Sequence, residues 1–149
     1  MPLTMTQSEV LLVDDNPADI DLTTEVLGRS ACPPRIRSVI DGMEAISFLR
    51  HEGRFADAPC PDLIVLDLNL PRKDGRQVLG EVKSQPDLAK IPVVVFTTSE
   101  ASSDVNRSYE LGANSYLRKP GNLADFQAAV ASMAGFWLGV AILPYKEKQ

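Results

Sequence analysis

Histidine and cysteine are nearly missing from this chain: one histidine and two cysteines in 149 residues. That scarcity removes soft-metal and thiol chemistry first. Cys32 and Cys60 stand far apart, each followed by proline, and neither belongs to a C-x-x-C pair. No histidine lies at zinc-ligand spacing from them. His51 falls near the end of a predicted helix beside Glu52 and Arg54, and is read as a surface residue without a role. Basic clusters are missing too. Lysine and arginine number 15 against 20 acidic residues, for a net charge of −5. Phosphate backbones attract basic patches and none stands out, so nucleic acid is not an expected partner. The opening MPLTMTQSE has no basic segment followed by an apolar core, so no signal peptide is expected. No apolar run approaches the length that spans a bilayer, and no membrane partner is expected. What remains, 44% hydrophobic and 23% charged, is the composition of a soluble globular chain of one domain, expected in the cytoplasm.

What is present is a pattern. Five short apolar runs, at 10–13, 36–40, 63–66, 93–96 and 116–117, alternate with five longer helical segments. Their Val, Ile, Leu and Phe content, without polar alternation, suits parallel strands covered on both faces. Asn16 is placed to cap the first helix, with Pro17 in its first turn and Asp19 favoured at its positive end. Asp41 and Glu44 read as a capping-box start, and Asn122 with Asp125 opens the last helix ahead of Phe126 and Val130. The third helix follows Asp74 and Gly75, and Val78, Leu79 and Val82 share its buried face. Gly112 takes the left-handed position of a helix stop. Right-handed crossovers then give an open parallel sheet with helices on both sides. In such sheets ligands gather beyond the carboxyl ends of the strands. That rule brings together Asp14 and Asp15 after strand one, Asp67 at the end of strand three, Thr97 at the end of strand four and Lys119 after strand five.

Three carboxylates converging on one rim repel each other, and a divalent cation removes the conflict. An all-oxygen set with room for water suits Mg²⁺ better than zinc or iron. A carboxylate beside such an ion can attack phosphorus in line, forming an aspartyl phosphate. An ammonium group, here Lys119, and a hydroxyl, here Thr97, then stabilise the transferring oxygens.

The motifs LLVDDNPAD, LIVLDLNLPRKDG, VVVFTTS and GANSYLRKP resemble those of response-regulator receiver domains of two-component signalling, over essentially the whole chain. Pro71 and Gly75 lie four and eight residues past Asp67, and Thr97 and Lys119 stand at the family's spacing from it. The resemblance implies a flavodoxin-like (βα)₅ fold with strand order 2-1-3-4-5. It implies that Asp67 is phosphorylated by a sensor histidine kinase, and that Asp15, Asp67 and the Asn69 carbonyl bind Mg²⁺, with Asp14 acting through a metal-bound water. Thr97 and Tyr116 would be the switch residues, and Lys119–Pro120 a cis peptide.

NPADI, LDLNLPR, TTSE, GANSYL and the terminal FWLGVAILP carry a finer resemblance, to single-domain response regulators paired with phytochromes. It implies a phytochrome-type kinase, a bacteriophytochrome, as phosphodonor, and homodimerisation through the fourth-helix, fifth-strand and fifth-helix face. The receiver core is expected over about 8–134 and an apolar extension over 135–149. Phe136, Trp137 and Leu138 in that extension either fold back onto their own core or form a patch that a partner covers. Gly135 and Gly139 make a G-x-x-x-G read as coincidence. Too few residues follow the last helix for an output domain, so the output is expected to be a protein–protein event. Two departures from the family stand out. Gly121 replaces an apolar residue near the kinase-docking face. Thr98 stands where smaller residues are common, and its methyl is expected to lengthen the phosphate's lifetime; a Thr98→Ala protein that dephosphorylates no faster would refute that.

Taken singly, each of these residues has a plain structural account: a helix-start acidic turn, a loop cap, strand-end β-branched residues, a solvated lysine, a static core tyrosine. Their coincidence at one rim is what points to chemistry. A haloacid-dehalogenase-type phosphatase would want an acid where Asn69 stands and a nucleophile after the first strand. A flavodoxin would need a hydroxyl- and glycine-rich loop where DDNPAD would repel phosphate. A scaffold-only pseudo-receiver would lack one of the acidic or lysine positions, and none is missing.

Overall fold

The computed structural model describes residues 7–146. The first six residues, most of the segment read for a signal peptide, and the last three of the extension lie outside them. Five strands, β1 (Glu9–Val13), β2 (Arg35–Val39), β3 (Leu63–Leu66), β4 (Val93–Thr97) and β5 (Ser115–Arg118), form one parallel sheet in the order β2-β1-β3-β4-β5. Between and after them run α1 (Pro17–Gly28), α2 (Gly42–Leu49), α3 (Gly75–Ser84), α4 (Ser102–Glu110) and α5 (Leu123–Ala134). The expected fold and strand order hold.

The strand period of two divides the core. Leu11, Val13, Ile64, Leu66, Val93 and Val95 face one side, with Phe48, Val78, Leu79 and Val82 of α2 and α3. Val10, Leu12, Leu63, Val65, Val94 and Phe96 face the other, with Leu27 of α1 and Phe126, Val130 and Met133 of α5. Burying each such side chain contributes about 1.5–3 kcal/mol. The two edge strands differ from the sequence expectation of strands covered on both faces. β2 reads Arg-Ile-Arg-Ser-Val and is mostly exposed, Ile40 lies beyond its end and is open to solvent, and β5 is only half-buried. An edge strand lacks one neighbour, so its side chains stay near water.

Helix ends follow local chemistry. Asn16 accepts from the Asp19 N–H, Asp41 from Glu44 and Asn122 from Asp125. The carboxylate of Glu44 reaches back to the Ile40 N–H, one residue short of a full capping box. Asp74 and Gln77 form the full box that opens α3.

The last helix does not stop at Ala134. It continues as a π turn over Gly135–Val140. Leu123–Val140, 18 residues, is therefore long and apolar enough, by length and composition, to cross a membrane, which corrects the sequence expectation. The helix passes through both Gly135 and Gly139. Phe126, Val130, Met133 and Ala134 are buried against the sheet, as in a core helix. A Cβ at Gly135 or Gly139 would meet nothing within 4 Å, so the G-x-x-x-G packs no helix here.

Candidate functional site

β1 delivers the acidic pair. The Asp14 N–H still bonds the Val39 carbonyl at 3.1 Å, and the chain then leaves the sheet. The Asn16 N–H donates to Asp14 Oδ1 at 3.0 Å, which turns the chain into α1. β3 delivers Asp67, whose N–H bonds Val13 O at 2.9 Å and whose side chain sits almost buried. Asp67 Oδ1 accepts the Asn69 N–H at 3.2 Å, so Asn69 stands beside the carboxylate by its backbone while the residue is exposed. The loop after Asp67 closes tightly: the Gly75 N–H reaches Leu68 O at 2.8 Å. A Cβ on Gly75 would stand 2.2 Å from the Asp67 carbonyl oxygen, so only glycine lets α3 start this close to the acid.

β5 delivers Lys119. Its N–H bonds Thr97 O at 2.6 Å. Its Nζ, nearly buried, donates to Asp14 Oδ2 at 2.6 Å, Asp67 Oδ2 at 2.9 Å and Asp19 Oδ2 at 2.9 Å. Burial by itself pushes the Lys119 pKa down, but the hydrogen bonds to Asp14, Asp19 and Asp67 outweigh it and hold the ammonium above its usual range. Burial pushes the Asp14 carboxyl up, against the lowering by Lys119 and the Asn16 N–H. A cation at this rim relieves that penalty.

Asp14, Asp15 and Asp67 each offer a carboxylate oxygen within 4.8 Å of the others'. Three oxygens, two of them on partly exposed residues, fit a hard divalent cation that keeps some of its water. Thr97, fully buried at the end of β4, has a hydroxyl with no hydrogen-bond partner among the described residues. An orphaned buried hydroxyl at the rim is what an acceptor oxygen arriving from outside would satisfy. Thr98 beside it is exposed.

Tyr116 is half-buried, and its hydroxyl donates to the Ser99 carbonyl at 2.9 Å. Ser99 is in turn tied down. Its hydroxyl donates to Asp104 Oδ2 at 2.6 Å, and Arg76 Nη2 donates to Asp104 Oδ1 at 2.7 Å. These bonds, from Ser99 first and Arg76 second, hold the Asp104 carboxyl below its usual range. The loop from Thr97 to α4 is therefore linked to α3 and β5 by polar contacts.

Every residue expected at the rim is there: Asp14, Asp15, Asp67, Asn69, Thr97 and Lys119, with Tyr116 behind the loop. The expected cis bond is not. Lys119–Pro120 is trans, as are the other described peptide bonds. The lysine is oriented without it, by its own N–H on Thr97 and by three carboxylates. Sequence reading missed Asp19, taken only as a favourable charge at a helix start, and missed the Arg76–Asp104–Ser99 contacts. The one signal for Asp19 was its place on the first turn of the helix that follows the acidic pair. The extension divides the two readings left open for it. Trp137 and Leu138 are half-buried against the α1–α5 side of the core, while Phe136 is 52% exposed with its ring edge-on to Trp137. Beyond them Tyr145 and Lys146 lie against Cys60 and Asp62 before β3, at the amino ends of the strands, opposite the acidic rim.

The profile of the response regulator receiver domain matches residues 10–131. Response regulator Rcp1 of Synechocystis is 48% identical over 135 residues, which cover 91% of this chain and 92% of that protein. The crystal structure of the phosphorylated cyanobacterial phytochrome response regulator RcpA superposes with a TM-score of 0.91 at 48% identity, over 94% of this chain and all of that one. The Mn²⁺-bound form of Rcp1 gives 0.90 at 47% identity, over 93% and 99%.

Proposed function

Because this chain belongs to the response-regulator receiver family, we propose that it accepts a phosphoryl group on Asp67 from a sensor histidine kinase of the phytochrome type, a bacteriophytochrome. The observation that carries the reading is the buried Lys119 ammonium shared by Asp14 and Asp67, groups brought together from three strand ends. Similarity to the phytochrome response regulators RcpA and Rcp1 supports the choice of kinase.

Asp14, Asp15, Asp67 and the Asn69 carbonyl are the residues that would hold Mg²⁺. When bound, the ion supplies charge neutralisation on the transferring oxygens. The chain's own groups do the rest. Asp67 presents a carboxylate oxygen in line with phosphorus while its Oδ1 is steadied by the Asn69 N–H. Lys119 moves a donor from a carboxylate to a phosphoryl oxygen, and the unpartnered Thr97 hydroxyl donates to another. No separate substrate is turned over; the protein is a signalling phosphoacceptor that gains and loses its own phosphate.

As Thr97 shifts, Tyr116 follows inward, and the α4-β5-α5 face changes its affinity for partners. That face, continued by Phe136 and its neighbours, is assigned to homodimerisation. The receiver unit spans about 8–134 and the segment after it serves assembly, in the cytoplasm and without nucleic-acid or membrane contact. Incubation with acetyl phosphate and Mg²⁺, followed by intact mass, tests the reading. The expected result is one phosphoryl per chain, lost in Asp67→Asn; a parent protein that gains no mass refutes it.

A further inference from the structure

An ammonium group has three N–H donors, and Lys119 spends one of them on a carboxylate outside the ion-binding set. Asp14, Asp15 and Asp67 can reach one ion together; Asp19 Oδ2 instead lies 2.9 Å from Lys119 Nζ, a contact made across 100 residues of chain. Its side chain is 25% exposed and the lysine's only 3%. We propose that Asp19 is a positioning residue with two opposed electrostatic effects: it holds Lys119 on the α1 side of the rim and adds a fourth negative charge there. That charge favours a divalent cation and disfavours an anionic phosphodonor.

The physical reason is one of count and distance. Four carboxylates share the rim with one ammonium, three of them bonded to it, so with all four ionised the rim is three charges negative before any cation arrives. Asp14 and Asp67 keep Lys119 in place without Asp19, so removing the Asp19 charge leaves the cradle standing. It makes the cradle less attractive to Mg²⁺ and less repulsive to a phosphate dianion. It also leaves a lysine donor less firmly held against transfer to a phosphoryl oxygen. At a few ångströms, in a partly desolvated site, one unit charge shifts each equilibrium by about three- to tenfold.

The proposal rests on the phosphoacceptor reading, and its test keeps the two apart. Asp19→Asn retains an oxygen for Lys119 and removes only the charge; Asp19→Glu retains the charge. Calorimetric titration with Mg²⁺ alone needs no phosphorylation, and the expected result is binding about three- to tenfold weaker in Asp19→Asn. Phosphorylation is then followed by intact mass at saturating Mg²⁺. In that step an Asp67 oxygen forms a bond to phosphorus as the bond from phosphorus to the leaving group breaks. With acetyl phosphate the P–O bond breaks and acetate leaves with the electron pair; with phosphoramidate the P–N bond of the N-protonated donor breaks and ammonia leaves with it. The expected rate with dianionic acetyl phosphate rises by about three- to tenfold in Asp19→Asn, and rises less with singly charged phosphoramidate. Asp19→Glu returns both quantities toward the parent. A merely structural role would lower affinity and rate together, without regard to donor charge. Unchanged Mg²⁺ affinity, an unchanged or slower rate, or an equal effect on both donors overturns the proposal. A parent protein that binds Mg²⁺ but takes no phosphoryl group overturns the function instead, while the titration still judges the effect of Asp19 on the cation.

Discussion

Gly75 shows how narrowly one residue constrains this rim. Its missing side chain lets α3 begin against the Asp67 carbonyl, where a Cβ would come within 2.2 Å of that oxygen and 2.6 Å of Leu68 Cα. Backbone cannot move aside as a side-chain tip can. Gly75→Ala is therefore expected to destabilise the protein by about 1–3 kcal/mol and to displace Asp67. A drop in the urea midpoint together with slower uptake from acetyl phosphate would check both effects. His51 is the converse case. It ends α2 in the left-handed region, at φ 57°, with its N–H on Phe48 O and the Glu52 N–H on Ser47 O. Gly112 ends α4 the same way at φ 107°. A histidine meets the Cβ penalty that glycine avoids. His51→Gly is expected to raise stability by about 1 kcal/mol, read as a higher thermal midpoint with phosphorylation unchanged. Gly112 was legible as a helix stop, because glycine advertises that conformation; His51 was legible only as an exposed helix-end residue.

At the scale of elements, caps act within three or four residues, so Asn16, Asp41 and Asn122 could be placed from the sequence alone. The tie between α3, α4 and the loop after β4 could not. Arg76 and Asp104 lie 28 residues apart, and nothing local relates them. Their contact has a pH signature. The Asp104 carboxyl is depressed in the folded protein relative to its ordinary value of 3.8, so the ion pair's contribution is fully present above that value. It is lost as pH falls through the folded pKa. In Asp104→Asn the stability difference from the parent is expected to be constant above about pH 5 and to shrink below the ordinary carboxylate value. Urea unfolding at several pH values measures this, and a difference that persists to pH 2 would contradict it. Freed of Asp104, Ser99 no longer holds the carbonyl on which Tyr116 rests.

Over the whole molecule, the five-strand sheet is what turns scattered acids into one cradle. Phe136, Val140, Ile142 and Tyr145 are left exposed by the same fold that half-buries Trp137 and Leu138. Phe136 is thus the member of that trio free to meet a second copy. Phe136→Glu is expected to shift a dimer to monomer on a sizing column while the far-UV circular dichroism of the folded chain stays that of the parent, because within the chain only the edge contact with Trp137 is lost. The sequence by itself determined the element order, the two-sided core and the identities of Asp14, Asp15, Asp67, Thr97 and Lys119, since apolar runs, caps and strand ends are local signals read along the chain. Only the tertiary structure decided that Asp19 shares the lysine, that Asp104 secures the Thr97 loop, that Lys119–Pro120 is trans and that the final helix runs on past Gly135. The partner of a charge, and the fate of an apolar tail, depend on which distant segments come into contact, and no short stretch of chain carries that information.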